Sequence, residues 1–269
     1  GIELSAVLAD KQKKLEAIIS RETRVAVACS GGVDSTLLLK FTHNILGHDN
    51  TIAVFAETPL LPPGEAKAAR EVVNSVGSRL LNVSLNPLVW PEFIKNPQAR
   101  CYLCKKKIYQ TFLEKLAELQ FSTLMDGTNL DDLSDFRPGL KALRELNVKT
   151  PLADAGLTKD EIRQLSRDLN LPNWDKLSSS CLATRIATGE QISEEKLELI
   201  KKCENFLEEL DFWGCRVRIK NDSAVIEVLE DDIKRFAEQG TRVAVYNKFN
   251  NFNIKKVFLN VCGRKGICS

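Results

Sequence analysis

A marked excess of charge of either sign is missing from this sequence. Lys and Arg number 38 against 36 Asp and Glu, a formal net charge of +2. So close a balance argues against the broad basic surface of a nucleic-acid binder, and leaves open only a local patch. Long apolar runs are missing too. No stretch reaches the roughly 18 apolar residues of a spanning helix. The first ten residues, Gly1 to Asp10, have neither the cationic start nor the apolar centre of a secretory signal. A soluble, cytoplasmic protein without a membrane partner is expected. Histidine is scarce, and neither His43 nor His48 is assigned a role. Trp90, Trp174 and Trp213 read as packing residues.

Cysteine, by contrast, is plentiful, with eight in 269 residues. In a reducing cytosol that points to metal binding or catalysis rather than disulfides. Cys29, in an apolar strand, and Cys203, on an amphipathic helix, read as small core hydrophobes.

Residues Arg24 to Leu39 read R-V-A-V-A-C-S-G-G-V-D-S-T-L-L-L. An apolar run ends in Ser30, Gly31, Gly32, Val33, Asp34 and Ser35, and a second apolar run follows at once. Strand, tight glycine turn and helix start form a phosphate cradle. Glycine lets the backbone approach an anion closely, and the helix N-terminus holds it. The loop is neither a Walker loop, since no Lys-Ser/Thr follows, nor a dinucleotide fingerprint, since the third glycine is absent.

Around this loop the chain alternates. An amphipathic helix spans 4–20, strands are expected at 25–29, 51–55, 79–83 and 122–125, and helices at 33–46, 64–76 and 101–119. The rhythm predicts an α/β fold with a doubly wound parallel sheet. The second strand ends at Glu57 and the fourth at Asp126, Gly127, Thr128 and Asn129, at the carboxyl edge where a nucleotide would lie. Residues 87–100 read as irregular. An acidic stretch with Asp131, Asp132 and Asp135 is either a solvated loop or a place for magnesium and substrate. Thr158 and Glu161 form a capping box before a helix to 169. A Pro, Asn and Ser-rich linker then precedes a helix at 193–210, strands near 215–220 and 224–229, a helix from about 231, and a last strand near 255–261. The expected division is a larger domain over 1–172 and a smaller α/β domain over 173–269. The apolar strands of the latter could pair, so a homo-oligomer is expected.

Several blocks together resemble one family. S-G-G-V-D-S is similar to the PP-loop of ATP pyrophosphatases, the group of GMP and NAD synthetases, asparagine synthetases and tRNA thiolases. Tyr102-x-Cys104-Lys105-Lys106, D-G-T-N with D-F-R-P-G-L, N-W-D-K-x-S-S-S-Cys181-L-A-T-R, and R-V-R with A-V-I-E-V resemble the LarE-type ATP-dependent sulfur transferases of that superfamily. The likeness covers nearly the whole chain. It implies a PP-loop (adenine nucleotide alpha-hydrolase-like) fold and a role in making the nickel-pincer nucleotide cofactor of lactate racemase. ATP and Mg2+ would adenylate a carboxylate of a pyridinium-3,5-dicarboxylate mononucleotide, and a sulfur nucleophile would displace AMP. The nucleotide-binding set would be Ser30, Gly31, Gly32, Asp34, Ser35, Glu57, Gly127 and Asn129.

Cys181 matches the family's reactive cysteine, and Lys176 and Arg185 flank it with charge that favours thiolate. Family members either sacrifice that sulfur, leaving dehydroalanine, or hold a 4Fe-4S cluster with three cysteines and recharge it from an external sulfur donor. The terminal pair Cys262 and Cys268 points to the second kind, with Cys181, Cys262 and Cys268 as ligands. Cys101 and Cys104 with Cys181 form the runner-up set. Arg216 and Arg218 alternate on a strand and so share one face, suited to a phosphate monoester. With Arg185 they are the expected substrate-binding residues, Glu204 and Glu227 being placed to orient the pair. Lys105 and Lys106 could meet pyrophosphate or substrate carboxylates. The rival functions are a PP-loop tRNA thiolase and a non-enzymatic nucleotide-binding redox sensor.

Overall fold

A computed structural model describes residues 6–134 and 138–264. The first half of the chain runs α1 (Ala6–Ser20), β1 (Val25–Ala28), α2 (Val33–Leu46), β2 (Thr51–Glu57), α3 (Glu65–Val76) and β3 (Arg79–Ser84). It continues through α4 (Pro91–Ile94), α5 (Arg100–Glu118), β4 (Thr123–Asp126), α6 (Pro138–Glu145), α7 (Pro151–Asp154) and α8 (Lys159–Asp168). The remainder is α9 (Glu194–Glu209), β5 (Arg216–Lys220), β6 (Ser223–Glu227), α10 (Ile233–Phe236), α11 (Gln239–Asn251) and β7 (Lys256–Leu259). Among the described residues no helix is long and apolar enough to cross a membrane.

The chain divides into two compact units. One comprises Gly1–Thr58, Gly64–Leu85 and Ala99–Lys176, the other Pro59–Pro63, Asn86–Gln98 and Leu177–Ser269. The first is built on a parallel sheet of order β3-β2-β1-β4. β1 reads V-A-V-A and every residue in it is buried, as a strand covered on both faces must be. Its side chains alternate between two cores. Val25 and Val27 pack with Leu15 of α1, Leu37 and Leu38 of α2 and Ile162 of α8. Ala26 and Ala28 pack with Tyr109, Phe112 and Leu116 of α5 and Leu143 of α6. Helices therefore cover both faces, giving the expected doubly wound α/β fold, and each buried Leu or Phe contributes about 1.5–3 kcal/mol. β1 lies between β2 and β4, with Ala28 beside Val54 and Asp126. The loop after β1 and the segment after β4 thus emerge side by side at the carboxyl edge.

The capping box forms as expected, with the Glu161 amide donating to the Thr158 hydroxyl and the Thr158 amide to Glu161. It fixes the start of α8, and so the position of Lys159.

In the second unit β5 and β6 pair antiparallel while β6 and β7 pair parallel. Val217, Ile219, Ala224 and Ile226 form the buried face, and Arg216, Arg218, Val225 and Glu227 form the other. Chain from 59–63 and 86–98 belongs here. The Leu182 amide donates to the Leu60 carbonyl, and the Gly189 and Ile192 amides to those of Asn96 and Ile94, each at 2.8 Å.

Three helices lie where the pattern predicted none: α4, within the stretch expected to be irregular, α6 and α7. Each opens with proline at its first turn, where the fixed φ suits the helix and the missing N–H is not needed. At four to eight residues they are too short for periodicity to register.

Candidate active site

At the carboxyl edge of the first unit's sheet, the loop from Ser30 joins β1 to α2. Gly31 has φ +77°, and a Cβ there would lie 3.0 Å from the Ala69 backbone on α3. Only glycine meets both demands. Gly32 is the N-cap of α2 and brings no side-chain acceptor to its first turn, an arrangement that leaves helix N–H groups to an anion. Ser35 is held inside the loop, its hydroxyl receiving the Ser30 amide at 3.2 Å and facing the Gly32 carbonyl at 3.3 Å.

Asp34 is fixed by the Asn129 amide at 3.0 Å and by the Lys159 ammonium. Gly127 is explained by packing: a Cβ would lie 2.8 Å from the Ser35 nitrogen, so only glycine lets the segment after β4 approach the loop this closely. Glu57 accepts from Asn82 at 2.6 Å and Arg70 at 3.3 Å. Asp131 and Asp132 organise their own turn. Asp131 accepts the Lys159 amide at 2.7 Å, and Asp132 exchanges hydrogen bonds with Asn129 at 3.0 Å. Asp135 lies outside the described residues.

Beneath this edge Asp126 is buried. It accepts from Tyr109 and Thr128 and pairs with Lys105 at 3.2 Å. Burial alone would push its carboxyl up, but Lys105 and the hydroxyls hold it below the ordinary carboxylate range. Burial, and then the Asp126 charge, push the Tyr109 phenol well above its usual value. Lys105 is thus anchored by one end of the sheet. Lys106 turns instead to Glu145 at 2.7 Å and Tyr102 at 3.1 Å.

In the second unit Cys181 is partly exposed and precedes a single 3-10 turn, Leu182–Arg185. Of the cations flanking it in sequence, Lys176 belongs to the first unit and pairs with Glu65 at 2.8 Å. Arg185 is only 4% exposed and pairs with Glu204 at 2.8 Å. Both are held by carboxylates, which sequence proximity could not reveal. The expectation that Glu204 and Glu227 would orient Arg216 and Arg218 is corrected in half. Glu227 binds Arg218 at 2.7 Å, whereas Glu204 binds Arg185 and the Val217 amide. The reason is burial: Glu204 sits inside, on the core face of α9, away from the strand face bearing the arginine pair.

A further cation joins them. Arg264 donates to the Gly214 carbonyl, and at 3.4 Å to the Ser178 carbonyl, which also receives Arg216 at 3.2 Å. Arg218 donates to the Thr184 carbonyl at 2.7 Å. Burial, and then Arg264, Arg185 and Arg218, push the Arg216 guanidinium down to about 10. Arg264 is lowered by burial and by Arg185. Four arginines crowd the backbone on either side of Cys181 with Glu204 and Glu227 as their carboxylate partners, an arrangement that an anion would relieve. Sequence reading missed Arg264. It stands between Cys262 and Cys268, and the contact defining it is 50 residues away.

Cys262 is exposed, and Arg264 two residues on ties its segment to Ser178, three residues before Cys181. Cys268 lies outside the described residues, which therefore supply two of the three expected cluster thiolates. Among the described residues no three His, Cys, Asp or Glu side chains are grouped as a metal ion requires. Cys101 is exposed and Cys104 partly buried, one turn apart on α5. Cys29 and Cys203 are buried, and desolvation pushes both thiols up, Cys203 to about 12.

Loop, parallel sheet and helix start define a PP-loop protein of the ATP-pyrophosphatase class. The family model described as NAD synthase matches residues 7–100. An uncharacterized protein of Synechocystis, slr1717, is 35% identical over 96% of each chain. The pyridinium-3,5-bisthiocarboxylic acid mononucleotide synthase of Lactiplantibacillus plantarum is 33% identical over 88% of this chain and 86% of its own. An uncharacterized protein of Methanocaldococcus jannaschii, MJ0830, is 32% identical over 90% of each chain. The chain belongs to the LarE-type family of ATP-dependent sulfurtransferases.

Proposed function

We propose that this protein activates a carboxylate of a pyridinium-3,5-dicarboxylate mononucleotide with ATP and converts it to a thiocarboxylate for the nickel-pincer nucleotide cofactor. The observation that carries this reading is the bonding of Arg216 and Arg264 to Ser178. Two guanidiniums suited to phosphate thereby meet the short loop that carries Cys181. The Lactiplantibacillus relative, whose name states the corresponding product, supports it.

ATP binds at Ser30, Gly31, Gly32, Asp34 and Ser35, with Glu57, Gly127 and Asn129 on the nucleotide side. Magnesium is held largely by phosphate oxygens and water. A substrate carboxylate oxygen attacks the α-phosphorus and pyrophosphate leaves. A sulfur nucleophile at the Cys181 site then attacks the acyl carbon, the C–O bond to phosphate breaks, and AMP departs. Arg216, Arg218 and Arg264 hold the substrate phosphate throughout, and Arg185 keeps the loop in place. A 4Fe-4S cluster bound by Cys181, Cys262 and Cys268 would supply sulfide at the iron that no cysteine ligates, recharged by an external donor. A second ligand set, Cys101 and Cys104 with Cys181, is favoured by one observation: both α5 thiols stand outside the hydrophobic core.

The test is anaerobic purification with iron and sulfide analysis, and protein mass before and after turnover. Wild type is compared with the Cys262→Ser/Cys268→Ser and Cys101→Ser/Cys104→Ser variants. Cluster loss only in the first variant supports the terminal pair, and a fully retained cluster there sinks it. Loss of one sulfur from Cys181 after turnover means sacrificial transfer. A salt-dependent shift with tRNA, without turnover of the mononucleotide, means a tRNA thiolase. ATP binding without pyrophosphate release in the presence of substrate means a sensor.

A further inference from the structure

Asn173 lies beyond α8, within the first unit, and is 6% exposed. Its amide nitrogen donates to the Gly31 carbonyl at 3.0 Å and to the Thr36 hydroxyl at 2.9 Å. The Thr36 hydroxyl in turn donates to the Gly32 carbonyl at 2.8 Å. The directions are forced, because a carbonyl only accepts and the single Thr36 proton is already given to Gly32. Nitrogen must therefore face the loop. The Asn173 Oδ1 is left buried with no hydrogen-bond partner among the described residues. An unsatisfied buried amide oxygen is costly, and a residue needed only to fill space would be apolar.

What this arrangement achieves follows from peptide geometry. In a trans peptide the C=O and the next N–H point in opposite directions. Holding the Gly31 and Gly32 carbonyls inward turns the N–H groups of Gly32 and Val33 outward, to the side an anion approaches. Among the described residues the Gly32 N–H reaches only the Ser30 hydroxyl, at 3.4 Å, a contact that phosphate oxygen can replace. Lys176 adds a second hand on the Gly31 carbonyl at 3.4 Å.

We propose that Asn173, acting directly on Gly31 and through Thr36 on Gly32, is a positioning residue that pre-sets the loop peptides for the nucleotide phosphates. This rests on the reading of the loop as the ATP site. It assigns to a linker asparagine, 142 residues from Gly31, a share in ATP affinity that a packing role does not have.

The experiment is calorimetric titration of ATP·Mg and, separately, of the pyridinium-3,5-dicarboxylate mononucleotide. It uses the full-length wild type, Asn173→Asp, Thr36→Val and Thr36→Ser, each with its melting temperature. A carboxylate in place of the Asn173 amide cannot donate, and a valine side chain in place of Thr36 cannot relay. Asn173→Asp and Thr36→Val should therefore each weaken ATP by about tenfold or more, about 1.4 kcal/mol. Mononucleotide affinity should stay unchanged, and Thr36→Ser should bind ATP like wild type. If Asn173→Asp does not fold, the Thr36 pair decides. Folded variants with wild-type ATP affinity, whether or not they melt earlier, overturn the proposal. Failure of the wild type to bind ATP overturns the loop reading instead.

Discussion

Lys159, the first residue of α8, pairs with Asp34 in the phosphate loop, 125 residues earlier in the chain. The capping box at Thr158 and Glu161 sets where α8 begins, and so where this ammonium stands. If the loop is the ATP site as proposed, Asp34 is a carboxylate beside polyphosphate, and Lys159 and Asn129, which bond to it, offset its charge. Lys159→Ala should therefore raise the KM for ATP by about tenfold, the ~1.4 kcal/mol that one partly screened charge can supply. The KM for the mononucleotide should not move, and Lys159→Arg should recover most of the loss. Initial rates of pyrophosphate release across ATP concentrations check this. An unchanged KM for ATP would remove Lys159 from the site.

Arg185 and Glu204 make a different kind of pair, buried and scaffolding. Glu204 accepts from both Arg185 and the Val217 amide, so it joins the Cys181 loop, α9 and β5. Removing one partner of such a pair leaves an uncompensated buried charge and costs about 3–5 kcal/mol. Glu204→Gln should lower unfolding stability by roughly that amount, read from urea midpoints at constant m. Arg185→Met, which fills the space without charge, should cost less when combined with Glu204→Gln than the two single changes summed. Additive losses would show that the two do not act as a unit.

Much of this arrangement was legible in the chain, and the limits have physical causes. The loop, α2 and the four strands follow from local patterns: V-A-V-A between helices, two glycines, then an apolar run. The capping box is likewise local. What stayed hidden is non-local. Asn173 and Arg264 act on residues 142 and 50 positions away, and no spacing rule links them. Glu204 was visible as a partner for arginine, but the choice between Arg185 and Arg216 depends on which face of α9 is buried. Gly127 could be read as a ligand contact, while its reason in the fold is the close approach of Ser35.

Asp126 ties acid stability to the site edge. Its carboxyl is held below the ordinary range, so its contribution is fully present above the unfolded value, near ~4. That contribution is lost as pH falls through the folded value. Wild type should lose stability progressively below about pH 5, and Asp126→Asn should flatten that part of the profile. Tyr109→Phe removes one hydroxyl donor, so the folded value should rise and the loss should begin at higher pH. Urea unfolding from about pH 7 to about pH 3 tests both. A Tyr109→Phe profile that begins its loss at lower pH than wild type would contradict this account.

Arg264 gives the sharpest prediction about substrate. Its guanidinium is pushed down by burial and by Arg185 while it crowds Arg216, so the group is short of negative charge. A charge-assisted hydrogen bond to phosphate is worth about 1.5–3 kcal/mol, or roughly ten- to hundredfold in affinity. Arg264→Ala should weaken the mononucleotide by that factor while leaving ATP binding untouched. Removing Arg264 also relieves the crowding of Arg216, so the loss should fall toward the lower end of that range. The dephosphorylated nucleoside should bind Arg264→Ala and wild type alike, since it carries nothing for the guanidinium to hold. Calorimetry with mononucleotide, nucleoside and ATP separates these cases. Equal loss for nucleoside and mononucleotide would mean that Arg264 shapes the fold rather than grips the phosphate.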